Sequence, residues 1–264
     1  VLAAQVVGRF VPDHFDVSGN TPKFATSCSS ASGSFTYLDQ PFIYNVAPIL
    51  TVTARALSGS TTQNYTGGFW KLTSLGFAAQ YQKAYYPVTP GDSLPNLSLM
   101  ATITAPVFVD NGNGSGAFSF SDGGGLKIQR QANVLVAPFI AEIQLLINNI
   151  KDHDNVACTG TGCVAGGFAF GNTTLGTGIA FSGSGFGSGK QFYHGRLVVL
   201  NEIGSEILPL KVPMQTQFYT ANNGYVLNNL DSCTVFNGGV PNLDLLYSNG
   251  FSSTASLADP PVFQ

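Results

Sequence analysis

Charge is what this sequence has least of. Asp, Glu, Lys and Arg make up 9% of its 264 residues, against about 25% in an ordinary soluble domain. The eleven Lys and Arg residues are scattered singly and the formal net charge is −3. No basic stripe exists to neutralise phosphates, which excludes nucleic acid and anionic membrane surfaces as partners. Long apolar runs are missing too. The most apolar stretch, Val134 to Ile150, is interrupted by Pro138, Glu142 and Gln144 and falls short of the about 20 apolar residues of a spanning helix. No direct membrane insertion is expected of it. Solubility has to come from uncharged groups, and 23 Ser, 21 Thr and 19 Asn beside 31 Gly supply them. What is plentiful is ring and branched side chain: 44% of residues are hydrophobic, with 20 Phe and 10 Tyr, enough to fill a core and inclined towards strands. Val1 rather than Met opens the chain, so it reads as a processed piece of a longer product.

Cysteine is scarce, and its spacing is informative. Cys158 and Cys163 enclose Thr159 to Gly162, while Cys28 and Cys233 lie near opposite ends. The short, small-residue loop lets the first two sulfurs meet, and the long-range pair follows as the remainder. Disulfides Cys158–Cys163 and Cys28–Cys233 are therefore expected. The rival is a zinc site, but no second close Cys or His pair follows Cys158 and Cys163, and Cys28 is isolated. Disulfides imply an oxidising compartment, extracellular or at the cell surface.

Strand patterns recur and helix patterns are rare. From Ile49 to Leu57 the apolar Leu50, Val52 and Ala54 alternate with Thr51, Thr53 and Arg55, as in a half-buried antiparallel strand. Phe139, Ala141, Ile143, Leu145 and Ile147 share one face, with Glu142, Gln144 and Asn148 opposite; a short helix is the alternative there. Further strands are predicted at Phe168 to Phe170, Arg196 to Leu200, Leu208 to Tyr219 and from Tyr225, the third marked as an edge or bulged strand by Pro209 and Pro213. A Gly-, Ser- and Thr-rich stretch from Thr159 to Gly189 offers a seam. The expectation is an all-β, immunoglobulin-like antiparallel β-sandwich protein, with one unit over residues 1–160 and a second over 161–264.

Catalytic motifs do not assemble. Only His14, His153 and His194 are available as bases, and no Gly-x-Ser-x-Gly elbow occurs. Phe186 to Lys190 lacks the first glycine and the final hydroxyl of a phosphate loop. Asp152 and Asp154 offer oxygens to Ca²⁺ without the full charged loop, and Asp110, Asn111, Asn113 and Ser115 do so more weakly; turn capping is the other reading of both. Trp70, Tyr65, Tyr81, Tyr85 and Tyr86 are candidates for stacking on a glycan, with Trp70, Tyr85 and Tyr86 foremost, although a lone Trp in a sandwich is more often core. No cofactor is expected.

A series of segments carries a resemblance. VGRFVPDHFDV (Val7 to Val17), TPKFATSC ending at Cys28, FTYLDQPF (Phe35 to Phe42) and ILTVTARALSGSTTQNYTGGFWKL (Ile49 to Leu72) come first. KDHDNVAC (Lys151 to Cys158), GRLVVLNEIGSEILPLKVPMQTQFY (Gly195 to Tyr219) and NNLDSCT (Asn228 to Thr234) follow. Together they resemble the conserved-domain region of MshQ-like proteins, named after the mannose-sensitive haemagglutinin type IV pilus system. The resemblance implies an exported bacterial surface protein with no catalytic residues to carry over. Asp231, Ser232 and Cys233 match its Asp-Ser-Cys-Thr element, and members continue beyond it. The strand, glycine turn and Asn-Tyr-Thr of Ile49 to Tyr65 also resemble the immunoglobulin-like modules of adhesins. The expected role is structural or adhesive, in a pilus or filament, through self-association or other surface proteins. Segments such as Val1 to Phe10 or Leu257 to Phe263 would pair with a neighbour's sheet edge. A carbohydrate-binding module is the alternative.

Overall fold

A computed structural model describes residues 11–26, 28–30, 33–74, 77–183, 189–204, 212–234, 243–246 and 252–255. In chain order the first strands are β1 (His14–Gly19), β2 (Lys23–Phe24), β3 (Cys28–Ser30), β4 (Gly33–Tyr37), β5 (Tyr44–Val46), β6 (Ile49–Arg55) and β7 (Ala78–Pro87). Next come β8 (Leu99–Met100), β9 (Val107–Asp110), β10 (Ser115–Ser119), β11 (Lys127–Ile128), β12 (Phe139–Asn148), β13 (Phe168–Phe170) and β14 (Ala180–Phe181). The last are β15 (Gln191–Tyr193), β16 (Gly195–Val199), β17 (Met214–Thr220), β18 (Gly224–Leu227), β19 (Leu243–Leu246) and β20 (Ser252–Ala255). One 3₁₀ turn spans Gly67–Phe69. The chain is an all-β sandwich protein.

Two sheets make the main sandwich. One runs β1-β6-β10-β9; the other runs β13-β12-β15-β4-β3, with β7 also paired along β12. The alternation in β6 works as its sequence dictates: Leu50, Val52 and Ala54 are buried, and Phe118 of β10 joins them. Facing them are Phe139, Ala141, Ile143, Leu145 and Ile147 of β12, with Phe170 and Phe192. β12 is a ten-residue strand, so the helix alternative fails. Ten consecutive partners on β7 satisfy its backbone, and branched residues on its buried face favour the strand.

Most pairings are antiparallel, but β14 pairs β2 and β15 pairs β4 in parallel. Parallel neighbours require a crossover of a dozen or more residues, and here the chain returns to β4 only after strands β5 to β14 have been laid down. Within the glycine-rich stretch, Phe170, Ile179 and Phe181 are buried in the main core. A smaller sheet, β16-β17-β18, follows directly. Its middle strand begins at Met214, just after Pro213, which has no N–H for the ladder, and residues 208–211 of the predicted strand lie outside the described residues. Pro209 and residues 1–10 and 256–264, including both terminal segments expected to pair with a neighbour, lie outside the described residues.

Candidate functional site

The surroundings of Cys28 and Cys233 are a heavily tied part of the described residues. Both expected disulfides are formed: Cys28–Cys233 spans 205 positions, Cys158–Cys163 spans 5, and no described cysteine is free. Around the long-range bond, Tyr193 of β15 is stacked on Phe35 of β4 (4.9 Å between centroids) and on Phe218 of β17 (4.5 Å). The Tyr37 hydroxyl donates to Asp231 Oδ2 (2.8 Å) and accepts from Asn228 Nδ2 (2.7 Å). Asp231 also accepts from the Thr234 hydroxyl and the backbone N–H groups of Cys233 and Thr234. Partial burial alone would raise its pKa, yet the Thr234 and Tyr37 donors outweigh it and hold the carboxyl below its usual value. Tyr37 is pushed the other way, first by burial and then by that same carboxylate.

A second tie holds β1. Its strand is bonded on one edge to β6 and on the other to the small disulfide loop: Phe15 N–H donates to Ala157 O, Val17 N–H to Thr161 O, and Gly160 N–H to Phe15 O. Asp16 accepts from Arg55 Nε and from Thr161 N–H, each at 2.6 Å. Glycine is needed twice for this approach. A Cβ on Gly160 would strike Asp16 and His14, and Gly162, at φ +81°, would drive one into Val17 O.

The third feature is a shallow cleft of about 300 Å³ beside β9, lined by Gly67, Trp70, Leu72, Thr73, Ser74, Phe108 and Asp110. Trp70 and Phe108 are stacked, 5.0 Å apart and 28° from parallel. Asp110 Oδ2 accepts from Gly67 N–H and the Thr66 hydroxyl, and Oδ1 from Gly112 N–H. The Gly67 bond is the main reason its carboxyl is held below the ordinary range. The cleft therefore sets a fixed carboxylate at the rim of an aromatic floor. Next to it β9 is an edge strand, with Val107 67% and Val109 54% exposed and paired to Ser119 and Ala117.

A family model for the third domain of DUF6701 matches residues 2–173, and one for its fourth domain matches residues 193–262. This chain belongs to the DUF6701 family. Nothing matches among the curated proteins or the solved structures.

In this DUF6701 protein the remaining sequence-predicted residues are dispersed. Asp152 is buried, and its carboxylate organises a turn: Oδ1 accepts from the Asp154 and Val156 N–H groups and Oδ2 from the Tyr65 hydroxyl at 2.7 Å. Tyr85 and Tyr86 lie on opposite faces of β7. Tyr85 packs on Phe139 and donates to Leu97 O, and Tyr86 donates to Thr173 O. Neither shares the Trp70 cleft. His14 lies against Asp13 and Asp16, and His194 is buried beside Tyr225.

One charged pair of this DUF6701 chain eluded the sequence reading. Glu142 falls on the face of β12 read as polar, yet it is buried, with Lys190 Nζ at 2.7 Å and the N–H groups of Gly176 and Gly178 at 2.7 and 2.6 Å. The loop after β13 folds over that face. A Glu in an apolar strand, with glycines downstream able to approach it, was the available signal.

Proposed function

We propose that this DUF6701 chain is a MshQ-like, non-enzymatic structural or adhesive protein of a bacterial surface, associated with a pilus or filament. The observation that carries the reading is the seal between Cys28 and Cys233, reinforced by Tyr37 and Asp231, which makes a rigid, oxidised and nearly uncharged sheet body. Low surface charge favours close lateral packing, and the apolar outer row of β9 gives such packing an edge. The two-unit division of the chain, with its boundary in the Gly/Ser-rich stretch, belongs to the same proposal. Immunogold labelling of intact cells tests it. Label along surface filaments, with all four cysteines refractory to thiol reagents, is the expected result; label confined to the cytoplasm, or reactive thiols in the native protein, overturns it.

The Trp70–Phe108 cleft favours a second reading, a glycan-binding module, because an aromatic floor with a fixed carboxylate suits a sugar ring and its hydroxyls. Glycan-array binding abolished by Phe108→Ala but retained in Tyr85→Phe and Tyr86→Phe supports this reading. An array without binders removes it.

A further inference from the structure

We propose that the chain is built to bear tension, with the two disulfides dividing the task. The biological sense of this rests on the surface reading above, but the mechanics do not. A force applied through the two ends of a cross-linked chain takes the shortest covalent path. Here that path enters at Cys28, crosses to Cys233 and leaves. Everything between them is covalently bypassed: both sheets from β3 onward, the buried Glu142–Lys190 pair and the whole β16-β17-β18 sheet. Pulling cannot lengthen that loop, whatever the stability of the fold inside it.

Two described strands lie outside the loop on the N-terminal side, β1 of the main sandwich and β2 of the β14-β2-β5 sheet, and β19 and β20 lie outside it on the C-terminal side. On the N-terminal side these are the elements a load reaches, and β1 is where the second disulfide acts. Strand β1 is held on both edges, by β6 and by residues 157–161. Its Asp16 side chain bridges those two supports through Arg55 and Thr161, and its Phe15 is fully buried. The Cys163 sulfur lies 3.3 Å from Phe15 O, and Cys158 bridges Phe15 directly. Closing the five-residue interval fixes the shape of the loop that grips β1, so its bonds to β1 must break together. The long bond shields the body and the short one stiffens the grip on the strand left unshielded.

Single-molecule pulling of the full chain between terminal handles reads both parts. The 27 residues before Cys28 and the 31 after Cys233 reach roughly 200 Å when extended, so the oxidised protein should never lengthen beyond that. Adding dithiothreitol to a molecule already folded and held under load should release roughly 700 Å more as the 205-position loop opens. Using the folded molecule avoids any dependence on whether a Cys28→Ser variant folds. The Cys158→Ala/Cys163→Ala variant should reach the same oxidised length, with the lengthening from the N-terminal side, the release of β1, at a clearly lower force. Lengthening of several hundred ångströms without reductant overturns the shielding. An unchanged force for the release of β1 in that variant overturns the grip. Either failure leaves the surface reading standing, since labelling of cells tests it separately.

Discussion

Tyr37 and Asp231 stand 194 positions apart in the chain, yet their side chains meet at 2.8 Å, with Asn228 completing the node. Removing the hydroxyl leaves a partly buried carboxylate and an amide each short of a partner. Tyr37→Phe should therefore cost about 1–3 kcal/mol, read from chemical denaturation of the oxidised protein.

The same node sets an acid limit. The Asp231 carboxyl titrates below its ordinary 3.8 in the folded protein, so the unfolded chain takes up a proton first as pH falls. Its stabilisation is complete above the unfolded value and is lost as pH drops through the folded one. Asp231→Asn should be less stable than the parent at neutral pH and should converge with it below that window, as followed by thermal melts across pH 2–7.

His194 titrates at higher pH in the same sense. Burial, then the nearby Arg130 charge, lower its pKa from 6.5 against a smaller opposing effect of Asp39. The folded protein keeps it neutral while the unfolded chain protonates, so this contribution to stability is present above pH 6.5 and declines as pH falls through the folded value. His194→Gln should flatten the stability profile in that range. A profile identical to the parent's would contradict the assignment.

Glu142 and Lys190 form a buried pair with side chains 1% and 13% exposed. Lys190→Met strands a carboxylate inside the protein and should cost about 3–5 kcal/mol. Glu142→Gln in that background should recover part of the loss, measured as a double-mutant cycle in denaturant.

Gly116 lies under the cleft, where an added Cβ would come within 2.5 Å of the Phe108 ring and 2.9 Å of Trp70. Gly116→Ala should disturb the stacked pair, shift the emission of the sole tryptophan and destabilise by about 1–3 kcal/mol.

These residues also show how far the sequence could be read. Strand β6 is legible because one of its faces is buried and the other is not, so alternation maps onto burial. The disulfides are legible because a small-residue loop between two cysteines leaves few geometries. Glu142 is not, because β12 is covered on both faces and a period of two says nothing about what lies over the polar side. Asp152 looks like a ligand by spacing, while its partner Tyr65 comes from 87 positions away. The Trp70 cleft was half visible: the ring could be singled out, but Phe108 and Asp110 reach it only through the pairing of β9 with β10. In Leu208 to Tyr219 the apolar spacing continues across Pro213, and the described strand takes up its part from Met214.

The seal between Cys28 and Cys233 also imposes an order on maturation. A chain emerging from its N-terminal end presents Cys28 first, then Cys158 and Cys163, and only near the end the sulfur with which Cys28 finally bonds. An early thiol meets the wrong suitors before the right one exists. Correct pairing therefore demands either that Cys158 and Cys163 find each other quickly or that mismatched bonds be exchanged. The yield of native protein should accordingly depend on disulfide isomerisation more than on oxidising power.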